Sequence, residues 1–521
     1  MTLTPTPVMD AHVLIQIELD GLTLYYADQH LSMSNGQFYE GRLLISTLQR
    51  AFSSFTAPKQ RASTLTITLE DADLTIRGLL QDYTWGNRNV FVYVGVGRDI
   101  ADYTIDFHGV IKFPGGIGFD RTEVRIELRD ARNKDKVDLP ENKYWVTNYP
   151  NLEDGAEGTP IPIVYGDWSF LVHVPIPVTC IDTTTNQFKI ADHAIQDIVQ
   201  VYKNDEEVSH SNEDLDEATF TISSYDPQND EVTAVVKGKV SGGLIENPSL
   251  VLRDIQLNYI GISTDNIDGD SYDQLAMDLA DFKCRRYIAD EISTDTLIEE
   301  LAIENLFDLY IHDDKYTVKN RIPQVNIDRT FDDTTIISGS LQVESDPEGL
   351  YANRIKCNYA YDPVADTWQS FAQEDNEAIQ DDVLQVISRT IDFNWLYEES
   401  NVRALAAHLI ILYSRAIDVI KFTALGDGIL TQLSDRIGLT YAHYTNRPLL
   451  VREISKHFRD MSCTIYGYDS IQHILPGYWV DDDAPDYSSA TADERAKQGF
   501  WTDDDGLADP EDETSKQSVW W

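Results

Sequence analysis

The chain has 521 residues, 42% of them hydrophobic and 10% aromatic, which excludes a disordered polymer and is too long for a single core, so roughly three or four domains are expected. Its 88 Asp and Glu outweigh 41 Lys and Arg to give a formal charge of −47, which excludes a sequence-independent grip on nucleic acid, because that grip rests on neutralising phosphates. Cys180, Cys284, Cys357 and Cys463 stand 104, 73 and 106 residues apart, which excludes zinc spacing and a dense disulfide framework and leaves reduced core thiols. The acid excess suits solubility in a salty medium or a partner with basic patches. The N-terminus shows no basic region followed by an apolar run, so no signal peptide is read there. The longest strongly apolar run, HLIILY at 408–413, falls far short of the roughly 20 residues a membrane span needs; folding in the cytoplasm is expected.

Residues 1 to about 150 read as strands. In TLTITLE, Leu65, Ile67 and Leu69 alternate with threonines, placing apolar groups on one face and hydroxyls on the other. NVFVYVGV, residues 89–96, keeps the period without a polar face and predicts a strand covered on both sides. TEVRIELR sets Val124, Ile126 and Leu128 against charges of alternating sign that can pair on a solvated face. WGNRN (85–89) and FPGGIGF (113–119) supply turns, and a β barrel or sandwich is the expected product. From 138 to 168, Pro140, Pro150, Pro160 and Pro162 with Gly155, Gly158 and Gly166 interrupt any regular element, so a linker or surface arm is predicted. Residues 169 to about 260 read as short strands between polar turns, a small β module with a hairpin turn at KNDEEV (203–208).

Helical spacing follows. Leu297, Ile298, Leu301, Ala302 and Asn305 share a face, with Ser293 or Thr294 placed to cap the exposed amides; a hairpin, LYIHDDKYTVK, then turns at Asp313 and Asp314. Val402, Leu405, Leu409, Leu412 and Ala416 recur at steps of three and four, a core stripe of about two heptads and too short for a coiled coil. Strands return in DVIKFTAL, DRIGLTY, RPLLVREISKHF and MSCTIYGYD. The expected fold is mainly β with some α (α+β) and multidomain: 1–150 a β-barrel-like domain, 151–262 a linker and small β module, 263–345 a helix-hairpin domain, 346–475 a second β-barrel-like domain with a helix, and 476–521 an acidic aromatic arm.

In that last segment GYWVDDDA (477–484) returns as GFWTDDDG (499–506), and the chain finishes on Trp520 and Trp521. An EF-hand loop with Gly506 at its sixth place would put Trp501 first and Asp512 twelfth, and around Gly269 the template puts Thr264 first and Leu275 twelfth, so neither loop fits the EF-hand template; a looser calcium site at Asp503, Asp505 and Asp509 is the lesser reading beside a solvated acidic turn. Residues 476–521 carry 13 acidic and 3 basic side chains and too few apolar ones for a core, whereas rings filling pockets anchor interfaces. The segment therefore reads as a partner-binding arm using Tyr478, Trp479, Asp481, Asp482, Asp483, Phe500, Trp501, Asp503, Asp504, Asp505, Trp520 and Trp521. There is no HExxH, no GxSxG elbow, and no helix after FPGGIGF to cradle phosphate; no catalytic residue, metal or cofactor is expected.

The order of parts, with IPIVYGDW closing the first strand block, LYANRIKCNYAYDP at 350–363 and the helix-to-strand block at 402–469, resembles the tail-tip (baseplate) hub proteins of tailed bacteriophages, siphophage type, over most of residues 1–475. The resemblance implies two related barrels per chain, three chains in a pseudo-sixfold ring on a hexameric tube, and no enzyme activity. It implies a virion location at the tail tip after assembly in the host cytoplasm, without stable membrane insertion. The partners it implies are further copies of the chain (a homotrimer), the distal tail protein, tail fibre or central spike proteins, the tape-measure protein, and DNA that passes without specific binding. A lining that repels phosphate would let the genome slide. The scattered cysteines depart from relatives with an iron–sulfur cluster. The alternative reading is a carbohydrate-binding, less a carbohydrate-degrading, host-recognition adhesin, since tryptophans and carboxylates are the side chains that stack on sugars and cleave between them.

Overall fold

The structure, a computed structural model, describes residues 11–469 except 46, 62, 133–135, 171–172, 322–326 and 459, together with the short runs 478–479, 498–502 and 517–520. The fold is mainly β with some α, in several sheets and several units. The first sheet has ten strands. Its path runs Leu31–Ser32, Phe38–Gly41, Leu22–Ala27, Ala11–Leu19, Asn89–Val96, Tyr103–Ile111, Glu123–Asp130, Thr64–Glu70 and Leu43–Ile45, and Ile117–Phe119 pairs beside Glu123–Asp130. The alternation of TLTITLE holds: Leu65, Ile67 and Leu69 are buried and lie opposite Leu128, Ile126 and Val124. In NVFVYVGV, Val90, Val92 and Val94 enter the core, while Phe91 on the other face is half-buried and stacks on His108 at 4.2 Å.

Among the described residues no closed barrel forms, although the two sheet edges are bridged by one continuous run. Glu40 and Gly41 pair with Tyr26 and Ala27, and Leu43 pairs with Leu69. Between them the Arg42 N–H donates to the Glu40 carbonyl (2.9 Å), and the Arg42 carbonyl accepts from Glu70 N (2.7 Å). One apolar cluster still gathers inward side chains from strands far apart in sheet order, Val13, Ile15, Val92, Ile126 and Ile67 among them.

The stretch expected to be a linker or surface arm is anchored at its ends, while residues 145–159 between them are mostly exposed. Ile163–Tyr165 pairs with Arg286–Ile288, Asp138–Leu139 pairs with Ile292–Ser293, and Tyr144, Tyr165 and Trp168 are almost wholly enclosed. Proline stops a ladder but does not prevent burial, and the aromatics between the prolines supply the apolar area. Gly166 is held at φ +75°, where a Cβ would lie 2.2 Å from the Cys284 carbonyl oxygen, so only glycine fits the crossing. Beyond it, two four-stranded sheets spanning residues 176–239 enclose a core built on Phe188 and Phe220, stacked at 5.4 Å. The KNDEEV turn is present with Asn204 and Asp205 both at positive φ, the geometry that joins two antiparallel strands most tightly.

Residues 248–260, expected as strand, are helical: Pro248–Asp254 continues as a π-turn to Ile260. The local signal was Asn247 followed by Pro248, an N-cap whose side chain accepts from Ser249 N (3.0 Å) and a proline at the first helical position. The predicted helix runs Thr294–Glu304, capped by Ser293, and buries Leu297, Ile298, Leu301 and Ala302. Its last residue, Glu304, is fully enclosed and accepts main-chain N–H groups from Asn394, Trp395 and Leu396 (2.8, 2.8 and 3.3 Å). These helices, the sheet of Arg354–Asp362, Thr367–Asp375 and Ser388–Asp392, and the helix Glu399–Tyr413 share the largest core. In that last helix Val402, Leu405 and Leu409 are buried, and Ala416 lies past its end.

The second large sheet runs Arg329–Asp332, Arg436–Thr440, Arg447–His457, Ser462–Tyr468, Asp418–Leu425 and Gln342–Ser345. Thr47–Ala51, which follows the first sheet's bridging run in sequence, also pairs with Arg447–His457. The two large sheets are therefore joined by a strand that leaves one and completes the edge of the other.

Candidate functional site

Along Arg447–His457 the alternation puts Arg452, Ile454 and Lys456 on one face, and that face is buried. Two cations on the apolar side of a strand need partners, because an isolated charge removed from water costs several kcal/mol. The partners come from other parts of the chain. Lys456 Nζ donates to Asp106 Oδ1 (2.8 Å), a residue of the first sheet. Arg50, on the crossing strand, reaches the same oxygen at 3.4 Å and the Gln432 side chain at 2.8 Å, while Gln432 Nε2 donates to Asp106 at 3.3 Å. Burial alone would raise the Asp106 pKa, but the charges of Lys456 and Arg50 outweigh it and hold the carboxyl below the ordinary carboxylate range.

A second node lies at Asp308, on the first strand of the hairpin. Arg452 Nη1 and Ser434 Oγ donate to its Oδ2, both at 2.6 Å, and Arg321 Nε donates to Oδ1 at 2.6 Å. Here too burial is overcome, by Arg452 and Arg321, and the carboxyl is held down. Burial pushes Arg452 down to about 10, which leaves it charged at neutral pH, and its guanidinium sits 3.7 Å above the Phe52 ring.

The hairpin turn, formed by Asp313 and Asp314 at positive φ as the sequence suggests, closes the third side. Asp313 Oδ1 accepts from Ile105 N (2.9 Å), Asp314 Oδ1 meets His108 Nδ1 (3.0 Å), and Arg132 also binds Asp314. First sheet, crossing strand, hairpin and second sheet thus meet in one joint, in which Asp106, Asp308 and their cations are enclosed while Asp314 is half-buried and Asp313 exposed. Such an arrangement fixes how the strands it joins are oriented. Neither node was anticipated from the sequence. The usable signal was the charged residue in register with buried neighbours: Lys456 beside Ile454, and Asp308 in FDLYIH.

Tyr478–Trp479 lies parallel to Gln498–Gly499, and Gln498–Thr502 pairs antiparallel with Gln517–Trp520, Phe500 opposite Val519 and Trp501 opposite Ser518. The backbone so brings both aromatic pairs and Trp520 into one small sheet. Asp481, Asp482, Asp483, Asp503, Asp504, Asp505, Asp509 and Trp521 lie outside the described residues. The four cysteines are free and buried, and burial pushes the Cys180, Cys357 and Cys463 thiols up to about 12. Among the described residues no group of three or more His, Cys, Asp or Glu is placed to hold a metal ion, and no helix is long and apolar enough to cross a membrane. The small β module carries an open groove of about 430 Å³ lined by Tyr149, Lys189, Asn212, Asp214 and Glu217.

The chain is similar to solved structures of tail proteins. One is a tail protein from Neisseria meningitidis, at 8% identity and a TM-score of 0.38 over 88% of this chain and 97% of that one. Another is the 43 kDa tail protein of prophage MuSo2 from Shewanella oneidensis, at 8% identity and 0.40 over 89% and 99%. A third is a prophage tail protein from Listeria monocytogenes, at 9% identity and 0.34 over 89% and 96%. No family model and no curated protein matches the chain.

Proposed function

We propose that the protein is a structural hub of a phage tail tip. Three copies form a ring that closes or extends the tail tube, connects the distal tail protein to fibres or a central spike, and lets the tape-measure protein and DNA pass. The observation that carries this reading is the joint: a shared strand and two buried charge nodes hold two large sheets of one chain in fixed orientation, as a part that transmits force between neighbours requires. The residues that resemble the hub family add to it, since LYANRIKCNYAYDP supplies the central strand of its sheet and the block at 402–469 supplies most of the second large sheet. A charge of −47 favours passage of DNA without retention. Opening requires a few kcal/mol of differential contact, supplied by partners at the rim.

Native mass measurement tests the reading. Three copies of the 59.1 kDa chain, about 177 kDa, are expected, with rings in negative stain. A monomer that retains sugars, with the groove beside Tyr149 as their seat, would favour the adhesin instead.

The arm at 477–521 belongs to the same proposal, its aromatics seated on a neighbour and its carboxylates facing basic groups there. Deleting 477–521 should leave the ring intact and abolish recruitment of the next tail component. Recruitment and virion assembly that survive the deletion would remove the arm's role.

A further inference from the structure

The segment from Glu377 to Ile387 ends in a projection that its surroundings hold rigidly. Asn376 caps the helix Glu377–Val383 through Ile379 N (3.2 Å). The fully buried Asn353 then ties down the far side: its Oδ1 accepts from Ile387 N (2.7 Å), its Nδ2 donates to the Gln385 carbonyl (2.8 Å), and Gln380 donates to its own carbonyl (2.7 Å). On this support Leu384 adopts φ +53°, a conformation that residues with a branched side chain avoid, and stands 89% exposed between Val383 and Val386, each 47% exposed. A strained backbone that holds a leucine in water makes sense where another surface covers it. Asp381 and Asp382 flank the tip.

A complementary hollow lies at another place in the chain, where the first sheet, the start of helix Thr294–Glu304 and the hairpin meet. It has a volume of about 180 Å³, apolar walls from Leu309, Ile311 and Tyr316, and a rim that includes Lys59, Arg61 and Lys136. Lys59 and Lys136 share the single carboxylate of Asp295, and Arg61 donates to the Ser53 carbonyl and hydroxyl. Asp130 and Glu299 stand on the margin.

We infer that Leu384 and its flanking valines seat in this hollow on a second copy of the chain, with Asp381 and Asp382 meeting Arg61 and Lys136. Tip and hollow complement each other in shape and sign. A leucine side chain fits a hollow of that volume, and an apolar tip preceded by two carboxylates matches apolar walls under a mixed rim whose four cations outnumber its three carboxylates. With 88 acidic residues against 41 basic ones, copies repel at long range, so contact between them needs a local patch of this kind. Tip and hollow are different surfaces, so the contact is head-to-tail, the type that closes into a ring when the rotation allows. The inference rests on the trimeric reading above and names the contact that would make it.

The full-length chain and its variants, compared by native mass measurement over a dilution series, provide the test. The unaltered chain is expected to assemble, and Leu384→Asp to weaken assembly at least tenfold while remaining folded. Leu384→Gly should raise the thermal midpoint, because the backbone strain is relieved, and still weaken assembly, a pair of opposite effects that a merely structural leucine would not produce. Arg61→Asp should weaken assembly, and Asp381→Arg with Asp382→Arg in the same chain should restore it. Rings that persist unchanged in Leu384→Asp would overturn the contact and leave the hub reading standing. A chain that stays monomeric at every concentration would overturn both.

Discussion

Replacing Asp308 with alanine is expected to lower the stability of the folded chain by about 3–5 kcal/mol, the cost of breaking a buried ion pair from one side. The carboxylate is fully enclosed and is the shared acceptor of Arg452 and Arg321; without it, Arg452, itself almost wholly buried, has no anion to replace the water it gave up. The effect should show as a fall in the urea midpoint followed by fluorescence of the buried Trp168 and Trp395. Asp308→Asn, which keeps an acceptor for Ser434 but loses the charge, should fall between. Combining Asp308→Ala with Arg452→Met should recover a substantial part of the loss, because the second change removes the stranded cation. The exposed pair Glu399–Arg403, at 2.7 Å on the helix surface, is the control, and Glu399→Gln should cost less than about 1 kcal/mol. An Asp308→Ala chain as stable as that control would mean the joint is not what holds the sheets together.

Acid should loosen the molecule in two windows. His193 is placed so that only its neutral form fits: Val164 N can only donate, so Nε2 must accept (2.9 Å), and Nδ1 carries the proton to the Ala194 carbonyl (2.9 Å). Burial, the largest cause, lowers its pKa to about 4 from 6.5, and burial does the same to His408. The unfolded chain binds these protons first, so the stability each contributes is complete above pH 6.5 and is lost as pH falls toward 4, roughly 2–3 kcal/mol apiece given their partial exposure. Glu304 has the opposite sign. Burial raises it to about 8 against the pull of its main-chain donors, so its contribution is complete below pH 4.5 and is lost as pH rises through 8. Asp106 and Asp308, held below the ordinary carboxylate range, define the second window: their stabilisation persists until pH falls below 3.8 and is then lost through their folded pKa values. Unfolding measured from pH 8 to 3 on the unaltered chain and on His193→Gln isolates the histidine. The difference between the two should shrink by roughly 2–3 kcal/mol between pH 7 and 4, and parallel curves would show that His193 titrates as it does in the unfolded chain.

Where a pattern depends on neighbours along the chain, it was legible. The period of two in TLTITLE and TEVRIELR, the Ser293 cap, the helical stripe at Leu297 to Ala302, and the turns at Asn204–Asp205 and Asp313–Asp314 all stand as read. Each depends on interactions within a few residues. The helix at 248–260 is hidden because its apolar residues read equally well as a short buried strand, and its one local mark is Asn247–Pro248. Within the stretch at 138–168 the middle stays at the surface as read, whereas its ends pair and pack, because proline and glycine report on ladders and burial depends on what packs against the chain from elsewhere.

The sequence by itself determined the strands with clear alternation, the two helices with clear spacing, the free core cysteines and the charge that sets the molecule against phosphate. These follow from side-chain size, polarity and spacing. The tertiary structure alone decided that Thr47–Ala51 crosses to the second sheet and that Asp106 and Asp308 gather cations from as far along the chain as Lys456 and Arg452. The physical reason is range: a buried charge is stable only beside its counter-charge, and which counter-charge lies within hydrogen-bond reach is set by how separate strands pack.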